Sequence, residues 1–157
     1  MDTDFETFCR SEYDVVFRAC LAFSGSREIA MDASQEAFAR AFARWRRLSR
    51  HRWAGGWVMT TALNLCRRAL KPPRTIAGAG APMTVADPDL AIDVVEALRT
   101  LPARQRQAVL LYYLADLPVA AVAELMNASE GSVKTHLSRA RKNLGTKLLP
   151  GNTGGES

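Results

Sequence analysis

Six side chains near the C-terminus, Lys134, Thr135, Ser138, Arg139, Arg141 and Lys142, are hydrogen-bond donors of the kind that meets phosphate oxygens and purine edges. Lysine and arginine address guanine acceptors, while Thr135 or Ser138 suits a phosphate, a base edge or a thymine methyl. These residues lie away from an apolar stripe, Val133, Leu137, Ala140, Leu144 and Leu148, whose spacings of four, three, four and four are helical. Ser129 is a good N-cap for that helix. Ahead of it, residues 118–126 predict a helix with Val119, Val122, Ala123 and Met126 on its apolar side and Pro118 in the tolerated first turn. Asn127 suits a turn with positive φ between the two. A helix, a short turn and a second helix make a helix-turn-helix, whose second helix lies in the major groove. Any exposed helix can carry cations, but the turn, the preceding helix and the lack of acids together favour DNA.

The charge distribution widens that reading to a second contact. The net charge of +5 is modest, but residues 1–36 hold eight acids against three bases, and residues 37–86 hold no acid against ten bases. Residues 87–130 return to seven acids and three bases, and residues 131–155 hold five bases and no acid. Two basic blocks, each preceded by an acidic one, fit two polyanion contacts, or else two solvated helix faces.

Helical periodicity dominates, without the two-residue alternation of a half-buried strand, so an all-α fold is expected. A first helix over about 4–23 ends at Ser24-Gly25-Ser26, and a second over about 27–48 puts Phe38, Phe42 and Trp45 on one face, a stripe that suits a core. Residues 49–56 break the pattern before a third helix over about 57–71. Pro72-Pro73 stops it, and the Gly, Ala and Pro-rich run through Pro88 reads as a flexible interdomain linker. Leu90, Val94 and Leu98 mark a short helix, and Pro102 with residues 109–114 another, before the helix-turn-helix. The expectation is two small helical domains, 1–71 and 90–149, joined by a linker at 72–89.

Several function classes recede. The sequence has no apolar run of the ~18 residues needed to span a bilayer, and an acidic start, Met1-Asp2-Thr3-Asp4, is unlike a signal peptide, so no membrane insertion and a cytoplasmic location are expected. Cys9, Cys20 and Cys66 are widely spaced, suggesting neither a disulfide framework nor a zinc site. No nucleophile, carboxylate dyad, glycine-rich phosphate loop or metal set points to catalysis, and no cofactor is expected.

Four segments resemble the extracytoplasmic-function (ECF) subgroup of the sigma-70 family of RNA polymerase sigma factors. They are Asp32-Ala33-Ser34-Gln35-Glu36-Ala37-Phe38, Trp57-Val58-Met59-Thr60-Thr61-Ala62-Leu63-Asn64, Leu101-Pro102-Ala103-Arg104-Gln105-Arg106, and the run from Gly131 to Arg141. They stand in family order and spacing over nearly the whole chain. The resemblance implies promoter DNA and core RNA polymerase (its beta' clamp and beta flap) as partners, with an anti-sigma factor as a further one. It places Asp32, Gln35, Glu36 and Arg40 toward the clamp, with Phe38 and Phe42 holding the domain together. Trp57 and Asn64 match positions near the opened −10 element, and the loop of residues 49–56 matches the part that receives a flipped base; Trp57 also suits a core role. Arg50, His51, Arg52, Trp53, Arg67, Arg68 and Lys71 then suit single-stranded DNA, where stacking contributes ~1–3 kcal/mol per base. Ser132, Lys134, Thr135, Ser138, Arg139, Arg141 and Lys142 would face the −35 element.

Three departures from the family pattern stand out. Thr60 replaces a common basic residue, residues 117–121 lack the usual serine cap and acidic pair, and the linker carries no acid before Asp87. A stand-alone helix-turn-helix regulator would explain only the C-terminal half, and a helical module that captures a sigma factor would need the His/Cys signature missing here.

Overall fold

The computed structural model describes residues 2–71 and 92–145, and among these every regular element is helical. The expected linker at 72–89, Leu90 and Leu148 lie outside the described residues.

Helix α1, Asp2–Ser24, ends where Gly25 turns the chain with φ of +69°. Ser26 then caps helix α2, Arg27–Ala43, its Oγ accepting from the Ile29 amide at 3.2 Å. The turn is buried, so its polar groups need internal partners: Ser24 Oγ donates to the Cys20 carbonyl at 2.8 Å and accepts from the Ser26 amide at 3.1 Å. On α2, Ala30, Ala33, Ala37 and Ala41 form a buried stripe of small residues, which lets α1 and the later helix α4 come close.

The expected single helix over 27–48 is broken at Arg44, and a one-turn helix α3, Trp45–Leu48, follows. No glycine or proline marks the break, which comes from tertiary packing. Trp45 lies against Phe5 and Phe8 with ring centroids 5.2 and 4.9 Å away, and Arg44 lies 5.7 Å over the Trp57 ring. Phe38 is buried as expected, but Phe42 is 56% exposed and meets the cluster only through Phe5 at 5.1 Å.

Helix α4, Ala54–Leu70, starts three residues before the expected position, taking in Gly55 and Gly56. Two glycines are poor helix formers, but here both make room. A β-carbon on Gly55 would stand 2.6 Å from Glu12 Oε1, and one on Gly56 would stand 2.6 Å from Leu125 Cδ1. Val58, Met59, Ala62, Leu63 and Cys66 form the buried face of α4 against α1 and α2. Cys66 and Cys20 are both buried free thiols; hydrogen bonding with Cys20, then burial, pushes the Cys66 pKa up, so this thiol stays protonated.

The second helical unit comprises α5, Ile92–Arg99, α6, Ala103–Val109, α7, Val119–Met126, and α8, Glu130–Leu144. Helix α6 runs on into a π-helical turn, Leu110–Leu114, closed by an Ala115 amide that donates to the Leu110 carbonyl at 3.1 Å. Pro118 starts α7 in extended conformation, doing the work of the missing serine cap without a side-chain bond. The two units share one buried core: α1 packs on α5 and α4 packs on α7.

Candidate nucleic-acid interface

Helix α8 is fixed from below and from both ends. Val133, Leu137, Ala140 and Leu144 are buried, as the spacing predicts, against α6 and α7. Asn127 adopts left-handed backbone at φ 56°, ψ 50°, and Ser129 Oγ accepts from the Ser132 amide at 3.0 Å. Arg104 of α6 donates to the Met126 carbonyl at 2.9 Å, tying the end of α7 down just before the turn.

On the outer side Lys134, Thr135, Ser138, Arg139 and Lys142 are all exposed, while Ser132 is half-buried. Arg141 differs: its Nε donates to the Tyr113 hydroxyl at 2.8 Å and its guanidinium lies 5.9 Å from that ring. It braces α8 against the π-helical turn. His136, which the sequence did not single out, sits half-buried between these faces with a buried Nδ1 that has no partner. Burial, then the charges of Arg104 and Arg139, lower its pKa, so the ring is neutral at neutral pH. Gly131, exposed at the start of α8, has only Ser129 Oγ near the place of a β-carbon, at 3.9 Å. Packing within the chain does not demand glycine there, which leaves room for a close approach from outside.

The second basic block surrounds the loop of residues 49–56. Arg50 and Arg52 are exposed, and Arg52 lies 5.1 Å over the half-buried Trp53 ring. His51 Nδ1 accepts from the Trp53 amide at 2.9 Å, fixing the ring, and its Nε2 lies 3.9 Å from Glu124 of α7. Trp57 is half-buried under Arg44, Arg67 is half-buried, and Arg68 and Lys71 are exposed at the far end of α4. Asn64 does not face outward freely: its Oδ1 accepts from Gln107 Nε2 at 3.1 Å. Beside the loop lies a cleft of about 370 Å³, walled by Glu12, Arg52, Trp53 and Gly55 from the first unit and by Leu114 and Leu117 from the second. Thr60 is buried, with Oγ1 donating to the Gly56 carbonyl at 2.8 Å, so it is a packing residue and no phosphate ligand.

On α2, Asp32, Gln35 and Glu36 are exposed along one rim of an open groove of about 600 Å³ whose floor includes Ala33, Leu65 and Ala69. Arg40 Nε donates to Glu36 Oε2 at 2.9 Å, making a partly screened ion pair at that rim. Three exposed cations of the same block, Arg44, Arg46 and Arg47, are not among the contact residues expected from the sequence. The acid-free run of residues 37–86 was the signal that contained them.

Among the described residues no group of three or more His, Cys, Asp or Glu could hold a metal ion, and no helix is long and apolar enough to cross a membrane.

A helix-turn-helix with a cationic outer face in the second helical unit, and arginines lying over tryptophans around a loop in the first, are two surfaces with the chemistry of a nucleic-acid-binding protein. Family comparisons agree: the model for Sigma-70 region 2 matches residues 8–72, and that for Sigma-70, region 4 matches residues 91–144. The chain belongs to the ECF subgroup of the sigma-70 family of RNA polymerase sigma factors. It is 30% identical over 165 residues to the ECF RNA polymerase sigma factor SigM of Mycobacterium tuberculosis, across 96% of this chain and 80% of SigM. With the ECF RNA polymerase sigma factor SigW of Bacillus subtilis it shares 28% identity over 156 residues, across 86% of this chain and 83% of SigW. Against "Probable RNA polymerase sigma factor RfaY" of Xanthomonas campestris pv. campestris it is 30% identical over 165 residues, 90% of this chain, and it spans 41% of that relative's length. The fold is shared with the sigma factor RpoE of Bartonella quintana, solved in complex with the anti-sigma factor NepR, at a TM-score of 0.74 and 21% identity, covering 93% of this chain and 96% of RpoE.

Proposed function

We propose that this sigma factor binds core RNA polymerase through the α2 face of Asp32, Gln35, Glu36 and Arg40, reads −35 duplex DNA with α8, and holds melted −10 DNA with the loop of residues 49–56 and α4. Residues 1–71 form the polymerase and −10 domain, and residues 90–149 the −35 domain. The observation that carries the reading is the outer face of α8, where Lys134, Thr135, Ser138, Arg139 and Lys142 are exposed on a helix clamped by its buried stripe. Cations there meet the DNA backbone, and those near the groove floor meet base edges. Arg52 over Trp53 and Arg44 over Trp57 present flat cationic and aromatic surfaces, the chemistry that unstacked bases use. Strand separation is then driven by binding, with no covalent step. An anti-sigma protein is a further partner, consistent with the complex in which the Bartonella sigma factor was solved.

Run-off transcription with core polymerase and a genomic promoter library tests the reading, and Arg139→Ala sharpens it. A base contact is worth ~1–3 kcal/mol, so the variant loses roughly 5- to 140-fold at promoters with a −35 element while core binding persists. Equal loss at promoters lacking that element removes Arg139 from the −35 role.

A further inference from the structure

The outer face of α8 has two edges. Arg141 stands on one, its Nε on the Tyr113 hydroxyl at 2.8 Å, which fixes how the helix is rotated. His136 stands on the other. At about 100° per residue, Ser132, Thr135, His136 and Arg139 fall along one line that begins in the first turn of the helix. Residues toward that end of a recognition helix are the ones that reach base edges.

The two ring nitrogens of His136 have different surroundings. Nδ1 is buried and without a hydrogen-bond partner. Nε2 is neither buried nor bonded to any described residue, so it is open to whatever docks on α8. A neutral imidazole carries a single proton, and its setting decides which nitrogen holds it. An N–H at Nδ1 would be buried without an acceptor, beside the positive charges of Arg104 on α6 and Arg139 on α8, and both conditions oppose it. Burial, with the same two cations, opposes a second proton on the ring. The proton therefore sits on Nε2, and α8 presents one uncharged N–H donor among its cations.

Neither packing nor charge accounts for a histidine at this position. An aliphatic side chain would fill the place without stranding a nitrogen, and a lysine or arginine would hold a phosphate more strongly. What a neutral ring supplies is direction: one donor, suited to a lone pair in the plane of a base. In the major groove guanine and adenine both offer N7 as such an acceptor.

We propose that His136 is a base-reading residue, donating from Nε2 to a purine N7 in the −35 duplex and so selecting purine over pyrimidine at one position of one strand. This rests on the reading of that duplex by α8. Arg139, nearly one turn further along, meets a neighbouring base pair, so the two contributions are separable.

The test is transcription by the chain in complex with core polymerase, from templates randomised across the −35 element, each marked by a transcribed barcode. The native complex is expected to prefer a purine at one position, and His136→Ala to weaken that preference about fivefold while preferences elsewhere persist. His136→Gln, whose amide pairs with adenine N6 and N7 together, should turn the same position toward adenine. Replacing the purine by its 7-deaza analogue should cost the native complex about the same fivefold and cost His136→Ala nothing. Helical circular dichroism confirms that each variant is folded. A 7-deaza penalty that persists in His136→Ala, or an equal loss of preference at every position, overturns base reading and leaves a packing residue. A preference that fades between about pH 7 and 8.5 also overturns it, being the mark of an imidazolium on phosphate. No preference at any −35 position would mean that α8 itself does not read that duplex, whereas preferences indifferent to His136 refute the histidine alone.

Discussion

Glu12 is an acid held in an unfavourable place. Its carboxyl lies against Gly55 at the start of α4, and burial raises its pKa above the ordinary glutamate value. A carboxyl whose folded pKa is raised favours the folded state fully while protonated and loses that advantage as pH rises through the folded value. Glu12→Gln should therefore raise the melting temperature at pH 7. The gain should vanish near about pH 4, where the unfolded glutamate is itself largely neutral. A constant gain across that range would mean that the charge has no part in it. Other single residues were readable beforehand: Asn127 in left-handed backbone and Ser129 as an N-cap follow from side-chain chemistry acting within a few residues. Thr60 was not, because its departure from the family pattern is explained only by burial beneath neighbouring helices.

At the scale of the element, α8 carries a glycine that its own packing does not require. Gly131→Ala should stabilise the helix by about 0.5–1 kcal/mol, since alanine is the better helix former and nothing stands closer than 3.9 Å to the new carbon. The same change should weaken −35-dependent initiation by holding the DNA backbone off the helix start. Paired thermal melts and run-off assays check this, and unchanged transcription would leave Gly131 without a role in recognition. The face of α8 was legible because one stripe of apolar residues fixes which way a helix turns. The break at Arg44 and the early start of α4 were hidden, since both answer to aromatic rings and a leucine elsewhere in the chain.

For the molecule as a whole, the two helical domains were legible from charge blocks and periodicity, whereas their docking was not. The bonds that make it, Arg106 to Phe23 and Gln107 to Asn64, span 83 and 43 residues and look like ordinary polar positions in the sequence. With a shared core, the native chain should unfold in one calorimetric transition. Arg106→Met keeps much of the side-chain volume but abandons the Phe23 carbonyl, and should split the melt into two transitions, one for each domain. One transition at the native temperature in the variant would show that the arginine does not join them.

The π-helical turn of Leu110–Leu114 carries one residue more than an α-helical turn would use, and it is from this widened turn that Tyr113 meets Arg141. Each residue advances a helix by about 100°, so a deletion here would swing the tyrosine round to another side and pull α7 out of line. The number of residues in this turn therefore matters as much as the Tyr113 hydroxyl that it positions. If α8 reads the −35 element as proposed, the pitch at which it meets the groove is encoded as a length, upstream of its exposed face.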